Sequence, residues 1–559
     1  MTNKALAKPL KETAALIELT GGNMFRARAF SNAARTIERL EIPVAELIAT
    51  AQLTEIKGIG SGLASQIQEI LEYGSFEVRD SLLGALPPGL LDVLSVKGLG
   101  AKKARVLWQT LSIQSLDDLE AAAVAGRIAE LDGFAEKSQN SILENISQLR
   151  SYQGKRRGAE AFPIANHIES LLNEIPSVSE VILVGELARK MEIVETIAFV
   201  VTMDDPAPIE FEGLDFQSES VEEGLLQRAV LESGLKLEIM CTDTKRAGIA
   251  TLVGTGPQGF VDDWKSLGLD SMTASTEDAL FAAASVAYIV PELRDLPNAL
   301  SRASELAALP LLQDADLRGI VHNHSTYSDG AHTLREMSLA TRERGFEYFG
   351  ICDHSQSLKI AHGMSVETLM RQKAEIQALN EEFASDGGSP FTVFFGVESD
   401  ILKDGSLDYE DEVLAEFDFL VASVHVGFNM SETEATDRVI RAVANPFTTI
   451  LGHPTGRLIL KREGYPLNHL AVLEACAHYG VSIELNANPY RLDLDWRWIE
   501  KAAELSVPVS INPDAHSIEQ LDLMKWGVFA ARKGGLTASG CLNALNVADF
   551  RAFITTIKG

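Results

Sequence analysis

Cysteine is scarce in this sequence: four in 559 residues, at 241, 352, 476 and 541, with no Cys-x-x-Cys pair. That excludes a disulfide framework and points to free thiols in a reducing cytoplasm. Long apolar runs are missing as well. No stretch reaches the ~18 apolar residues read as a membrane-spanning helix, so no membrane partner is expected. The opening MTNKALAKPLKETAAL has neither an apolar h-region nor a cleavage site, and no secretory signal is expected. Positive charge is short: 49 Lys and Arg stand against 79 Asp and Glu, a net charge of −30. The deficit is uneven. Residues 1–158 carry 19 basic and 18 acidic side chains, whereas 159–315 carry 9 and 27. A surface that meets phosphates is expected in the first segment and not in the second, where like charge repels. Histidine is nearly absent before residue 320; ten of the eleven lie beyond it.

What is present is ordinary for a globular chain, 46% hydrophobic and 23% charged. At ~150 residues per domain the length allows three to four domains. Residues 1–150 read as short helices, with Ala, Leu and Ile at helical spacing. Two turns break them in the same way: EIKGIGSGLASQIQEIL at 55–71 and SVKGLGAKKARVLWQTL at 95–111. Each is Gly-apolar-Gly followed by a helix. Glycine permits positive φ and close backbone approach, and the helix N-terminus presents N–H groups that suit a phosphate oxygen. The candidate contacts are Lys57, Gly58 and Gly60 in the first copy, and Lys97, Gly98, Gly100, Lys102 and Lys103 in the second. A weaker third copy, LDGFAEKSQNSILENI at 131–146, has Ala135 in place of the second glycine. FRARAF at 25–30 fits either a phosphate-facing or a solvated helix face.

GKRRG at 154–158 reads as a basic tether. Strands at 181–184, 193–201 and 235–240 then alternate with helices, and YIVPELRDLPNAL at 288–300 reads as a linker. Residues 315–559 repeat one pattern, an apolar strand that ends in polar residues and is followed by a helix. The strand ends are IVHNHS (320–325), FGICDHS (349–355), FFGVESD (394–400), VASVHVG (421–427), TILGHPTG (449–456), VSIELNANP (481–489) and PVSINPDAHS (508–517). Seven β-α units suggest a TIM-like barrel, in which chemistry sits at the C-terminal strand ends.

Those ends carry nine candidate metal ligands: His322, His324, Asp329, His354, Glu398, His425, His453, Asp514 and His516. His322 and His324 are two apart on one strand and point the same way. Nitrogen and carboxylate ligands together suit Mn²⁺, Zn²⁺ or Fe²⁺. Nine exceed the needs of one ion and suggest two or three. Such a cluster acidifies water and clamps the attacking and leaving oxygens of a phosphate ester, so the reaction class is metal-assisted phosphoester hydrolysis. His332, His469 and His478 read as helix or surface residues, and His362 as a residue of the pocket mouth.

The series HNHS, SDG, DHS, GVES, SVH, GHPTG, ELNANPYRLDL and NPDAH resembles the PHP (polymerase and histidinol phosphatase) domain, in the version found in bacterial family X DNA polymerases. The Gly-x-Gly turns resemble the helix-hairpin-helix module that grips the DNA backbone. The resemblance implies a multidomain chain. Residues 1–150 form an α-helical helix-hairpin-helix region, 159–290 an α/β nucleotidyltransferase-like palm and thumb, and 315–559 a distorted (β/α)7 TIM-like PHP barrel. It implies three ions. One is held by His322, His324, Glu398 and Asp514; a second shares Glu398 and adds His425 and His453; a third takes Asp329, His354 and His516. Glu398 and Asp514, with Arg457 and Lys359 as phosphate contacts, are the expected catalytic residues; Arg491 is a further candidate. The partner implied is DNA with gaps, nicks or 3′ ends, met by a monomeric cytoplasmic protein.

The middle region departs from the family pattern of a Gly-Ser turn with arginines, an Asp-x-Asp strand and a third Asp. Gly185 and Arg189 remain, but Glu186 stands at the Ser position and Ala188 at an arginine position. Thr196 and Ala198 stand at the Asp pair, and Glu238 at the third. One carboxylate cannot hold two Mg²⁺ against a triphosphate. The expectation is a DNA repair protein, a 3′–5′ exonuclease or 3′-end processing enzyme, whose polymerase chemistry is lost. A histidinol-phosphatase-like phosphomonoesterase and a non-catalytic DNA-binding scaffold are the alternatives.

Overall fold

The computed structural model describes residues 3–38, 40, 42–269 and 272–557. The chain divides into two compact units, Met1–Gln153 and Gly154–Gly559. The first is all helical, from Asn3–Thr20 to Glu136–Tyr152. It closes over two apolar cores. Leu6, Leu10, Phe30, Ile67 and Phe76 belong to one; Leu16, Leu19, Leu90, Leu107 and Ile146 belong to the other. The long helix Asn3–Thr20 serves both, because Leu16 and Leu19 leave it on a different face from Leu6 and Leu10. Among the described residues no helix is long and apolar enough to cross a membrane.

The second unit begins with a five-stranded sheet: β1 (Val178–Val184), β2 (Thr196–Met203), β3 (Gln217–Val221), β4 (Gly224–Val230) and β5 (Lys236–Thr242), in the order β1-β2-β5-β4-β3. Its period-two pattern buries both faces. Ile197, Phe199, Val201, Leu237 and Ile239 pack on Ala161, Ala165 and Leu172 of helix Gly158–Asn173. Val184, Ala198 and Val200 pack on Ala250 of helix Ala247–Thr255. The β3–β4 hairpin carries no strand signal in the sequence, because QSESV is a polar, exposed edge strand. Two segments behave differently from their sequence reading. The basic tether is pinned: Arg156 and Arg157 pair with Val194 and Ile193 in a short ladder. The expected linker is packed, with Arg294 buried against Glu277 at 2.6 Å and Glu292 paired with Arg532 at 2.6 Å. One apolar core therefore runs from Leu252, Trp264 and Phe281 into the barrel.

The barrel has seven parallel strands in chain order: β6 (Gly319–Ile320), β7 (Tyr348–Ile351), β8 (Thr392–Asp400), β9 (Phe419–Ser423), β10 (Ile450–Leu451), β11 (Ser482–Asn486) and β12 (Val509–Asn512). A parallel bridge between Asn323 and Ala515 joins the last strand to the first. The strand starts are sealed by Phe550, from helix Val547–Ile557, stacked on Tyr348 at 4.9 Å and edge-on to Phe394 at 5.0 Å. The opposite, C-terminal ends are left to polar side chains. All four cysteines are buried and unpaired.

Ala198 tests the middle sheet. Ala198→Asp places a carboxylate in the cluster of Val184, Val200 and Ala250, and burying an unpaired charge costs about 2–3 kcal/mol or more. The thermal midpoint of the second unit should drop by several degrees, followed by differential scanning calorimetry.

Candidate metal centre and helix-hairpin-helix turns

The nine candidate ligands converge at the C-terminal mouth of the barrel, around the fully buried Glu398. Its Oε1 lies 3.0 Å from His453 Nε2, 3.2 Å from His425 Nε2 and 3.4 Å from His322 Nε2. Its Oε2 lies 2.9 Å from His354 Nδ1 and 3.6 Å from His324 Nε2. Asp514 Oδ1 stands 3.0 Å from His324 Nε2 and 3.7 Å from His322 Nε2. Asp329 Oδ1, nearer the surface, is 3.5 Å from His354 Nε2 and 3.4 Å from His516 Nε2. Two ligands each ~2.1 Å from one ion stand about 3.0–3.4 Å apart. The observed separations therefore fit divalent ions shared among these groups. Two fully buried atoms that face the centre, His322 Nε2 and Glu398 Oε2, have no hydrogen-bond partner, which a cation satisfies. The grouping is more shared than expected: His324 joins both Asp514 with His322 and Asp329 with His354 and His516, while His354 also groups with Glu398 and His425.

The site is built for positive charge. Burial opposes ionisation of Glu398, but His425, His322 and His354 outweigh it and hold the carboxyl well below the ordinary range. Burial likewise opposes protonation of His425; Glu398 and Asp400 overcome it and raise its pKa to about 10. His324, buried beside His516 and His354, is pushed down to about 3 and so offers a free nitrogen lone pair.

A second ring of groups, not among the candidates from sequence, orients the first. Glu484 accepts from His322 Nδ1 at 2.6 Å and from the His453 backbone N–H at 2.7 Å. Asp400 holds His425 Nδ1 at 2.5 Å. Asp353 accepts from the Ser325 N–H at 2.8 Å and Ser325 Oγ at 2.7 Å, fixing the loop that carries Asp329. In that loop Gly330 is required, because a Cβ there would meet Ser325 backbone at 2.7 Å. Such partners fix ring orientation and tautomer. The signal for them is the strand period: Glu398 and Asp400, and Glu484 and Asn486, are each two apart and share a face.

The expected phosphate contacts separate. Arg457 does not point freely into the mouth. It donates from Nε to the Arg491 carbonyl at 2.9 Å, and it is also engaged by Asp495 and the Leu492 carbonyl. These bonds tie it to the loop of residues 491–495. Arg491, by contrast, places Nε 3.7 Å from Asp514 Oδ2. Lys359 and His362 lie exposed on one short turn. His332 accepts the Ile518 N–H at 3.3 Å, His469 stacks on Trp498 at 4.8 Å, and His478 abuts Tyr479.

In the helical unit the three turns share one geometry. Gly58, Gly98 and Gly133 have φ of 96°, 88° and 82°. Gly60, Gly100 and Ala135 are extended N-caps without a side-chain cap. The third copy is thus the equal of the others despite its alanine. A Cβ on Gly60 or Gly100 meets nothing within 4 Å, so nothing inside the chain requires glycine there. Lys57, Lys97, Lys102 and Lys103 are exposed around these turns. Lys97, Lys103, Phe134 and Lys137 line a groove of about 400 Å³ between the second and third.

In the middle sheet the positions that correspond to the family's carboxylates have protein partners. Ala198 pairs with Glu238 across β2 and β5, but Glu238 is bound to Arg228 at 3.1 Å. Glu186 accepts the backbone N–H groups of Glu195 at 2.7 Å and Thr196 at 2.9 Å, and Arg189 is buried on Asp295 at 3.0 Å.

This barrel and its ligand set define a metal-dependent hydrolase of the PHP class joined to a helix-hairpin-helix region. Residues 321–488 match the family model of the PHP domain, 1–76 that of a helix-hairpin-helix domain and 90–146 that of a SAM-like helix-hairpin-helix tandem. The chain is 32% identical over 576 residues to the DNA polymerase/3'-5' exonuclease PolX of Bacillus subtilis (strain 168), with 99% of each chain covered. It is therefore a member of the PolX family. Part of the chain is also similar to proteins named probable phosphatases. One, from Syntrophotalea carbinolica, is 26% identical over 234 residues, 40% of this chain and 90% of the relative. Another, from Thermoanaerobacter sp. (strain X514), is 25% identical over 234 residues, covering 40% and 88%.

Two outcomes are expected. Glu484→Gln should weaken metal binding by roughly 10–100-fold, measured by competition with a chelating dye. Gly60→Val with Gly100→Val should lower the melting temperature by only a few degrees, because Val is a poorer N-cap than Gly, while DNA affinity falls at least about tenfold, since each N–H bond to a charged phosphate that the side chain blocks is worth about 1.5–3 kcal/mol; fluorescence anisotropy reads the loss.

Proposed function

We propose that this chain is a metal-dependent phosphodiesterase that shortens or processes DNA 3′ ends at gaps, nicks and free termini, and that it adds no nucleotides. The observation that carries the reading is the bridging position of Glu398, with its two oxygens turned to different histidine groups. Two or three ions, Mn²⁺ or Zn²⁺ with Fe²⁺ also accommodated by the donor set, are assigned to the nine residues His322, His324, Asp329, His354, Glu398, His425, His453, Asp514 and His516. Such ions supply charge that polarises a phosphoryl group and acidifies water. The chain's own groups orient and bind. Glu484 and Asp400 hold imidazoles with one nitrogen inward. Arg491 offers guanidinium donors to a phosphate oxygen beside Asp514, and Lys359 adds charge at the rim. The three Gly turns with Lys57, Lys97, Lys102 and Lys103 hold the DNA backbone through N–H groups and positive charge. We assign the protein to the cytoplasm as a monomer; its four buried thiols suit a reducing compartment.

Loss of nucleotide addition rests on three engaged groups. Glu186 is tied to backbone N–H groups, Arg189 to Asp295, and Glu238 to Arg228. The face of Ala198 is packed with apolar side chains, which leaves no second carboxylate for a metal pair. A second reading, a small-molecule phosphomonoesterase, is favoured by the likeness of part of the chain to probable phosphatases.

The test is end-labelled primer-template incubated with Mn²⁺, with and without deoxynucleotides. A ladder of shortened products is expected in both, abolished by chelation, restored by Mn²⁺ and absent in Glu398→Ala. Extension that disappears in Glu238→Ala would overturn the reading of the middle sheet. Rapid turnover of small phosphomonoesters with no shortening of DNA would favour the second reading.

A further inference from the structure

Glu192 and Arg157 belong to the region of the five-stranded sheet, yet both hold a loop of the barrel. Glu192 is buried, and its carboxylate accepts the Trp496 indole N–H at 3.0 Å and an Arg497 guanidinium N–H at 2.9 Å. Arg157 stacks on the Tyr490 ring, 3.8 Å from its centroid, and donates to the Ile459 carbonyl at 3.4 Å. Ile459 in turn donates its N–H to the Tyr490 carbonyl at 2.6 Å. Between these anchors the loop carries Arg491, 3.7 Å from the candidate metal ligand Asp514. Arg457 ties the anchors together: it binds the Arg491 carbonyl at 2.9 Å and pairs with Asp495, which also holds Arg497 at 2.9 Å. A continuous set of contacts therefore runs from Glu192 to Arg491.

We propose that Glu192 and Arg157 are positioning residues for the barrel's chemistry. They fix the 488–497 loop so that Arg491 is aimed at the metal ligands, and the sheet that lacks polymerase residues serves as a brace. A flexible arginine on an unbraced loop loses its aim, and misplacement by ~1 Å costs up to about 100-fold in rate. Glu192 is suited to the task because a buried carboxylate left without its donors is strongly disfavoured, so its bonds to Trp496 and Arg497 persist. The inference rests on the reading of the barrel as a phosphoesterase.

The experiment uses the full chain in two arms. In the first, amide hydrogen exchange is followed after chelation. Glu192→Ala should speed exchange in residues 488–495 by about tenfold or more, with strands β6–β12 unchanged. In the second, Mn²⁺-loaded protein hydrolyses bis(p-nitrophenyl) phosphate. Glu192→Ala should lower kcat/KM by roughly 10–100-fold and Glu192→Gln by only a few-fold. Glu192→Ala should cost about twofold or less in an Arg491→Ala background, because both act through one group. Arg157→Ala should behave likewise. Unchanged exchange in the loop, exchange accelerated throughout the barrel, or losses that add fully in the double variant would each overturn the proposal. Loop exchange that responds as expected in a protein that hydrolyses no phosphoester would remove the proposed function and leave the brace standing.

Discussion

A carboxylate with no exposure to water sits at the mouth of the barrel, and the surrounding architecture answers its charge. Glu398 cannot remain ionised there without positive partners, and His425, His322 and His354 answer its charge, with His453 Nε2 3.0 Å away. Each histidine is then held from behind by an acceptor or by the strand end from which it emerges. Glu484 is the most consequential of these acceptors, because it fixes His322 through a ring nitrogen and His453 through its backbone. Strand order, the bridge between Asn323 and Ala515, and the aromatic seal beneath the strands all serve to bring seven strand ends to one point.

The middle sheet shows the same economy with a different outcome. Its carboxylates and arginines face protein groups rather than a ligand. Glu186 closes the start of a strand, Arg189 joins Asp295 and Lys533 in a buried cluster, and Glu192 reaches the barrel. These residues are bound by protein groups, and Arg189 and Glu192 fall where two parts of one compact unit meet.

The helical unit sets exposed backbone beside exposed lysines. Three positive-φ glycines and three uncapped helix starts present N–H groups outward, so a near-neutral region can meet phosphates although the rest of the chain is acidic. Ala135 shows that the second position tolerates a methyl group in the free protein.

The strand-end histidines and carboxylates were legible in the sequence because a strand places every second residue on one face and a parallel barrel gathers strand ends. The Gly-x-Gly turns were legible because only glycine reaches the required φ at low cost. What the sequence by itself determined is therefore local: which side chains stand at strand ends, and where the backbone turns. Only the tertiary structure decided that Arg457 is tied to a loop while Arg491 lies beside Asp514, that the supposed linker and tether are packed, and that Glu192 meets Trp496, 304 residues away. These are contacts between segments far apart in the chain, and periodicity holds no record of them; they are set by which buried polar groups find partners when the sheet closes on the barrel.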